Sequence, residues 1–397
     1  YVVGNQAYVL VGYANNYAET DGSVAFDLGT RLFVVDVAQP ASAAVTAEFA
    51  LEGDLVDSRL VGDVLYAISA EFQWEYGGID LDSPVIRKQT SSSWVSSVSL
   101  ADPGNIAVMD TQSFAGYGNV VQATNFALFV SSGEWFSGES EITYVDISDP
   151  AGAIVVRGSV AVPGSVPDRF KMDAFGGVLR VVSNTQWPDR DVFVTTVDLQ
   201  NPDALEILGQ TSIPNAAGET LFATRFDGPR AYVVTYLVVD PLFVIDLSDP
   251  AAPAVAGELV IPGWSTHIEP RGDRLIALGV DDTGGRQRVK VSLFDVSDPA
   301  APGELDVVSF GEDWSWSTAH NDVKAFTVLD DVLIVPFSGW TEEGGFERLQ
   351  FISHSDDALR LRGSVDLQGQ ILRSFRGDAA YYGVTTEQVA VIDGDNL

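Results

Sequence analysis

The chain has 397 residues, and its 56 acidic against 22 basic side chains give a formal net charge of −34. A field of this sign repels nucleic acid and anionic membrane surfaces, because binding to phosphate needs clustered lysine and arginine. The absence of cysteine excludes disulfides and zinc–cysteine sites, and no apolar run reaches the roughly 18 residues that a membrane helix needs. We therefore expect no nucleic-acid partner, no membrane insertion, and an acidic surface suited to salty or extracellular surroundings.

Short alternating hydrophobic runs follow one another from the first residues, "YVVGNQAYVLVG", to the last. Eight of them come directly after a turn, as in "VGDVLYAIS" and "RFDGPRAYVVT". Interleaved with these are eight copies of a second marker, a hydrophobic run that ends on Asp in seven copies and is degenerate in "RLQFISHSDD". The repeat period averages 51 residues along the chain. The seven aspartates are Asp36, Asp110, Asp146, Asp198, Asp246, Asp295 and Asp393.

Each period holds about four short strands and no helical periodicity, a pattern typical of the blades of a β-propeller. We predict an all-β chain that forms a β-propeller of eight four-stranded blades, with seven blades as the alternative if one degenerate copy is misassigned. The last blade is predicted to hold three strands. We expect a single domain over 1–397, with approximate blade boundaries at 1–54, 55–116, 117–165, 166–217, 218–263, 264–311, 312–367 and 368–397.

The turn that follows the Asp-ending hydrophobic run has the pattern Asp-x-Ser-Asp-Pro in its clearest copies. Proline sets φ near −65° for a turn, and Ser and Asp side chains can bond neighbouring backbone amides. We predict that Asp146, Asp246 and Asp295 accept hydrogen bonds from backbone amides and bind no metal. The later glycine, Gly257 in one copy, and the "IPG" that follows are predicted to end the outer strand.

Several segments carry a resemblance to a known family. The clearest are "TLFATRFDGPRAYVVTYL", "LFVIDLSDPAAP", "KVSLFDVSDPAAP" and "STAHNDVKAF", with weaker ones at "SRLVGDVLYAIS" and "RFKMDAFGGVLRVVS". In these the chain resembles predicted secreted bacterial and archaeal proteins with a β-propeller domain distantly related to WD repeats. The resemblance implies a propeller and export, and it brings no catalytic residues. Where the family pattern has a His just before "KAF", this chain has Val323, with His320 nearby.

Basic side chains recur near the start of the innermost strands, which converge at the axial mouth of a propeller. Arginine recognises carboxylate, sulfate or phosphate through two parallel hydrogen bonds, so these positions predict an anion-binding pocket. The alternative is that the arginines pair with neighbours such as Asp57, Asp168 and Asp227 and brace adjacent blades. Blade three has Asn119 at this position, and the basic residues are Arg59, Arg169, Arg225, His267, His320 and Arg373.

Trp264 and Trp316 precede the two histidines in "WSTH" and "WSTAH". Aromatic surface beside polar groups suits sugar rings or aromatic ligands. A second hypothesis is therefore a polysaccharide lyase, with His or Tyr as the base and Arg neutralising a uronate. Asp80 and Asp82 in "GGIDLDSP" resemble an oxygen-rich calcium loop, but no Glu completes a calcium hand. We expect no required cofactor and leave calcium open.

The favoured function is that of an exported β-propeller that binds a ligand or another protein, with an anion at the axial mouth as one hypothesis. The alternatives are the glycan-active enzyme just described and a structural domain of a larger cell-surface protein. The expected partner is an unknown protein, an acidic glycan or a small anion. The expected location is secreted, periplasmic or at the cell surface.

Overall fold

A computed structural model of the chain describes residues 1–20, 23–75, 88–115, 120–133, 138–186, 190–236, 240–261 and 263–394. These ranges form eight antiparallel β-sheets, so the predicted count of eight is confirmed. Every helix within them is a three-residue 3₁₀ turn, and none could cross a membrane. The 3₁₀ turns are Pro40–Ser42, Arg169–Lys171, Pro214–Ala216, Thr283–Gly285, Thr318–His320 and Val323–Ala325.

The first four sheets each contain four strands, paired in chain order. Sheet one comprises β1 (Val2–Val3), β2 (Gln6–Thr20), β3 (Ser23–Asp36) and β4 (Ala44–Leu51). Sheet two comprises β5 (Asp54–Val61), β6 (Val64–Glu75), β7 (Lys88–Ser99) and β8 (Ala107–Ala115). Sheet three comprises β9 (Val120–Ala123), β10 (Ala127–Ser132), β11 (Glu139–Asp146) and β12 (Val155–Pro163). Sheet four comprises β13 (Met172–Phe175), β14 (Val178–Asn184), β15 (Val192–Asp198) and β16 (Glu206–Ser212).

The last four sheets follow the same rule with two departures. Sheet five comprises β17 (Thr220–Asp227), β18 (Arg230–Tyr236), β19 (Asp240–Asp246) and β20 (Ala254–Ile261). Sheet six comprises β21 (Trp264–Arg271), β22 (Arg274–Asp281), β23 (Arg288–Asp295) and β24 (Gly303–Phe310). Sheet seven has five strands because β25 (Ser315–Trp316) and β26 (Thr327–Val328) both pair with β27 (Val332–Thr341), followed by β28 (Gly344–His354) and β29 (Leu359–Leu367). Sheet eight has the predicted three strands, β30 (Ile371–Arg376), β31 (Tyr381–Thr385) and β32 (Val389–Ile392).

The chain divides into two compact units. The first unit is Tyr1–Gln186 with Val197–Ile207, and the second is Trp187–Thr196 with Leu208–Leu397. In the first unit, each cluster of buried apolar side chains lies between two consecutive sheets, because a single sheet cannot cover both of its own faces. Representative members from the two sides of the three boundaries are Leu32 and Leu65, Tyr66 and Leu128, and Phe129 and Leu179.

The second unit is built in the same way. Its clusters lie between sheets five and six, between sheets six and seven, and between sheets seven and eight. Full burial of one large aliphatic or aromatic side chain contributes roughly 1.5–3 kcal/mol, so these shared clusters are the main source of stability. Representative members are Tyr232 and Leu275, Leu278 and Val335, and Phe351 and Ile371.

Within each unit, a glycine in the fourth strand of one sheet lies against the proline turn of the next. In the first unit the amide of Gly158 donates to the carbonyl oxygen of Pro202 at 2.8 Å. In the second unit a Cβ placed on Gly257 would lie 2.2 Å from the carbonyl oxygen of Pro299, closer than real Cβ atoms come. Glycine is therefore the residue that fits there. The prediction that Gly257 and "IPG" end the outer strand is correct for "IPG" and wrong for Gly257, since β20 continues past the glycine and ends at Ile261.

Candidate functional site

The aspartates that end the third strands have a structural role in their turns. The Oδ1 atoms of Asp146, Asp246 and Asp295 each accept a hydrogen bond from the backbone amide two residues later, at 2.9 to 3.0 Å. This confirms the predicted hydrogen bonds from backbone amides. Hydrogen bonds from Ser248 lower the pKa of Asp246, and hydrogen bonds from Ser297 lower the pKa of Asp295. The turns themselves therefore stabilise the ionised carboxylates of Asp246 and Asp295.

In the first unit, the two predicted arginines have different environments. Arg169 forms an ion pair with Asp57, as the bracing alternative expects. Asp168, which caps the 3₁₀ turn, pairs with Lys171 at 2.5 Å. Arg59 is exposed and forms no ion pair with any residue that the structure describes. Asn119 lies outside the described residues.

In the second unit, Arg225 and His267 are brought together. Nη2 of Arg225 lies 2.9 Å from Nδ1 of His267, and since arginine can only donate, the histidine ring accepts there. Burial, with the charge of Arg225 as a smaller cause, lowers the pKa of His267 to about 3. His267 is therefore neutral at pH 7 and adds no positive charge to the predicted anion pocket.

The other predicted residues of the second unit are also engaged. Nδ1 of His320 lies 2.9 Å from Oγ1 of Thr266, and burial lowers the pKa of His320 to about 4. Arg373 forms an ion pair with Asp322 at 2.7 Å. The anion pocket thus remains a prediction, but the second unit offers it two neutral histidines, Arg225 bonded to one of them, and Arg373 already paired with a carboxylate.

The two predicted tryptophans lie in different surroundings. The Trp264 ring packs against Tyr236, with ring centres 5.1 Å apart. The Trp316 ring lies 4.5 Å from the ring of His320 and also lines a cleft of about 720 Å³ on sheet seven. We call this cleft the aromatic cleft. It is lined by Gln287, Trp314, Ser315, Trp316, Ser338, Gly339, Trp340, Gly345, Phe346, Glu347, Asp366, Leu367 and Gly369.

Strand register explains why the aromatic and polar groups of the aromatic cleft lie together. Opposite residues of an antiparallel pair share one face of the sheet. Trp316 is opposite Ser338, Ser338 is opposite Glu347, and Trp340, two residues beyond Ser338, is opposite Gly345. A side chain on Gly345 would meet the Trp340 indole at 3.6 Å, so that ring lies over the glycine. One face of sheet seven therefore carries two indoles beside a carboxylate.

Charge in the aromatic cleft is purely acidic. Asp366 is paired with Arg348 at 2.6 Å, and the Arg348 guanidinium lies 4.1 Å from the centre of the Phe346 ring. Glu347 forms no ion pair with any described residue, and burial raises its pKa despite a hydrogen bond from the Ile371 amide. Among the described residues that line the cleft, none is Lys, Arg or His.

Trp314, Trp340, Phe346 and Glu347 were not among the residues predicted from sequence. The available signal was the clustering of aromatic residues in "EDWSWS", which contains β25, and in "SGWTEEGGF", which spans the turn from β27 to β28. Their meeting depends on the pairing of β25 with β27 and of β27 with β28. That register is a tertiary property that local periodicity does not reveal.

The proposed calcium loop cannot be placed, since Asp80 and Asp82 lie outside the described residues. In the part of the chain that the structure describes, no group of three or more His, Asp or Glu side chains is arranged to hold a metal ion. Calcium binding therefore stays a prediction.

The buried histidines predict a loss of stability in mild acid. The pKa values of His267 and His320 are lowered in the folded protein and lie near 6.5 in the unfolded chain. Below pH 6.5 these histidines are therefore protonated in the unfolded chain while they stay neutral in the folded protein. The contribution of the two neutral histidines to the free energy of unfolding is complete above pH 6.5 and falls as the pH drops toward their pKa values in the folded protein. At pH 5.5 each histidine is expected to lower the free energy of unfolding by about 1 kcal/mol relative to pH 7.

Urea unfolding at a series of pH values checks this expectation. A His320→Gln variant should lose about half of the decrease between pH 7 and pH 5.5, where aspartates stay ionised in both states. The comparison uses the slope with pH, so an overall change in stability caused by the substitution does not affect it. An unchanged slope in the variant would contradict the prediction.

Comparison with known sequences gives a match along the whole chain: a sequence model of the beta propeller domain family matches residues 1–397. An uncharacterized protein of Methanocaldococcus jannaschii is 41% identical over 168 residues, which cover 42% of this chain and 26% of the relative. An uncharacterized protein of Archaeoglobus fulgidus is 30% identical over 253 residues, which cover 64% of this chain and 38% of the relative. The chain thus spans well under half the length of these curated relatives.

Solved structures that align with most of this chain have low sequence identity to it. The WD40 domain of SCAP from fission yeast has a TM-score of 0.48 and 11% identity, with 97% of this chain and 98% of that chain covered. Sqt1 of Saccharomyces cerevisiae has a TM-score of 0.44 and 9% identity, with 78% of this chain and 83% of that chain covered.

Proposed function

We propose, on the premise that this chain belongs to the beta propeller domain family, that it is a binding module whose aromatic cleft holds a glycan. The observation that carries the proposal is the exposure of indole rings in one cleft. Trp314 is 66% exposed and Trp340 is 75% exposed. Exposed apolar surface that fold packing does not explain marks binding sites, and tryptophan is enriched among residues that dominate binding energy.

The chemistry of the lining supports a sugar ligand. The C–H face of a sugar ring stacks on an indole, and its hydroxyls need hydrogen-bond partners at the ring edge. Gln287, Ser338 and Glu347 supply such partners beside the tryptophans. The volume of about 720 Å³ lies within the range of roughly 300–1,000 Å³ that is typical of ligand clefts. A ligand of oligosaccharide size is therefore the best match.

Calorimetric titration with four hexasaccharides tests the proposal. The probes are the β-1,4-linked hexamers of glucose, N-acetylglucosamine and glucosamine, and a galacturonate hexamer. At least one should bind, and Trp340→Ala should weaken its binding about tenfold, or about 1.4 kcal/mol, because the stacking surface is lost. Trp340→Phe, which keeps an aromatic ring, should lose less.

Phe126→Ala is the matched control, since Phe126 is an exposed aromatic residue of the first unit, outside the aromatic cleft. It should bind as the unaltered protein does. Failure of all four hexamers to bind, or equal losses from Trp340→Ala and Phe126→Ala, would remove the support for a glycan site.

Catalysis is not part of this proposal. A lyase needs a base whose pKa lies near the working pH. Burial and Arg225 hold the pKa of His267 near 3, and burial holds the pKa of His320 near 4, so neither ring is a strong base at neutral pH. Export to the cell surface or beyond remains part of the proposal, since the acidic composition and the glycan ligand both suit that location.

A further inference from the structure

Resting on the proposed function, we infer that the glycan held in the aromatic cleft carries protonated amino groups, as a glucosamine polymer does. The first reason is the charge of the lining. Glu347 lies on the same face as Trp316 and Trp340, is half-buried, and has no described cationic side chain to pair with it. A carboxylate that is partly withdrawn from water and has no counter-ion favours a ligand that supplies one.

The tryptophans point to the same ligand chemistry. An ammonium group within about 6 Å of an indole face is attracted by the electron-rich ring, and tryptophan is the strongest such partner. Trp314, Trp316 and Trp340 all line the cleft that contains Glu347. An amino sugar can therefore stack its ring on one indole and place its ammonium between a second indole and the carboxylate.

The second carboxylate of the cleft does not weaken this assignment. Asp366 already has a counter-ion, because Arg348 pairs with it and covers the Phe346 ring. Glu347 is thus the carboxylate to which an ammonium would add a new pair. An acidic glycan, in contrast, would meet Glu347 with no cation in the described lining to offset the repulsion, and the net charge of −34 adds to that penalty.

The experiment compares the glucosamine hexamer with the N-acetylglucosamine hexamer, which have the same rings and linkage and differ in that the C2 nitrogen is an ammonium in the first and an uncharged acetamide in the second. At pH 6 and physiological salt the glucosamine hexamer should bind about tenfold more tightly, measured by calorimetry. Glu347→Gln should abolish this preference, because it removes the negative charge that pairs with the ammonium groups. Raising the pH to 8, where the amines lose their protons, should also reduce the preference.

Glu343→Gln is the matched control, because Glu343 is an exposed carboxylate in the turn between β27 and β28 and does not line the cleft. It removes the same unit of charge and should leave the preference intact, which separates a local pair from general attraction to an acidic protein. Equal binding of the two hexamers would overturn the inference and leave the proposed glycan site standing. Binding of none of the hexamers would overturn both.

Hexalysine provides the remaining comparison. If it binds as tightly as the glucosamine hexamer, with the same dependence on Trp340 and Glu347, the occupant is a basic peptide segment and the inferred glycan is wrong. Weak binding of hexalysine that is unaffected by Trp340→Ala supports the amino sugar.

Discussion

Replacing Gly257 with alanine is expected to lower the free energy of unfolding by about 3 kcal/mol and the melting temperature by about 4 °C. The added Cβ would lie 2.2 Å from the carbonyl oxygen of Pro299 and 2.9 Å from Cδ of Pro302. Both neighbours belong to the turn between β23 and β24, so the clash cannot be relieved by rotating a flexible side chain. Either β20 or that turn must move, and the shared core between sheets five and six must adapt to it.

Gly303→Ala is the control for this experiment. Gly303 begins β24, and a Cβ placed there meets no described atom within 4 Å. Its substitution should leave the melting temperature unchanged or raise it slightly, because alanine reduces the freedom of the unfolded chain. If the two alanine variants have the same melting temperature, the contact between Gly257 and the turn does not limit stability.

Replacing Asp168 with asparagine is expected to lower the free energy of unfolding by about 2 to 3 kcal/mol. Lys171 is buried, with 2% of its surface exposed, and its Nζ lies 2.5 Å from Oδ2 of Asp168. Asparagine keeps the acceptor that caps the 3₁₀ turn through the Phe170 amide, so the substitution removes the charge and leaves the cap. The loss of unfolding free energy therefore measures the cost of leaving the buried Lys171 ammonium without the Asp168 carboxylate.

A double variant separates this cause from a general disturbance. Lys171→Met removes the ammonium while keeping an apolar chain of similar length, so adding it to Asp168→Asn should recover most of the lost stability. Asp203→Asn is the matched control, since Asp203 forms an exposed ion pair with Arg157 and should change stability little. A double variant as unstable as Asp168→Asn alone would show that the Lys171 charge is not the cause.

The sheets could be predicted from sequence because the signals that define them are local. Alternating runs specify strands, and turns such as "DLSDPAAP" specify where the third strand ends, so counting two interleaved markers led to eight sheets. The hydrogen bonds that Asp146, Asp246 and Asp295 accept from backbone amides span only two residues, and they too were predicted correctly.

The site was harder because its chemistry depends on distant residues. Aligned repeats identified Arg225 and His267 as equivalent positions, but only the fold shows that they bond each other and that burial leaves the histidine neutral. Trp316 was predicted as a ligand-binding aromatic residue beside His320. Glu347, on the same face of the sheet, lies 31 positions along the chain and two strands away, and it became visible only through the register of β25, β27 and β28.

The placement of the buried clusters described above between two neighbouring sheets has a consequence for how the protein unfolds. In such a chain each sheet is stabilised mainly by its contacts with the neighbouring sheets. Loosening sheet seven would strip apolar cover from sheets six and eight together, so the amide hydrogens of Ile276 and Leu278 and of Tyr381–Thr385 should gain exchange with solvent in step with those of Val332–Phe337. A ligand seated on sheet seven would then slow exchange in strands that it never touches.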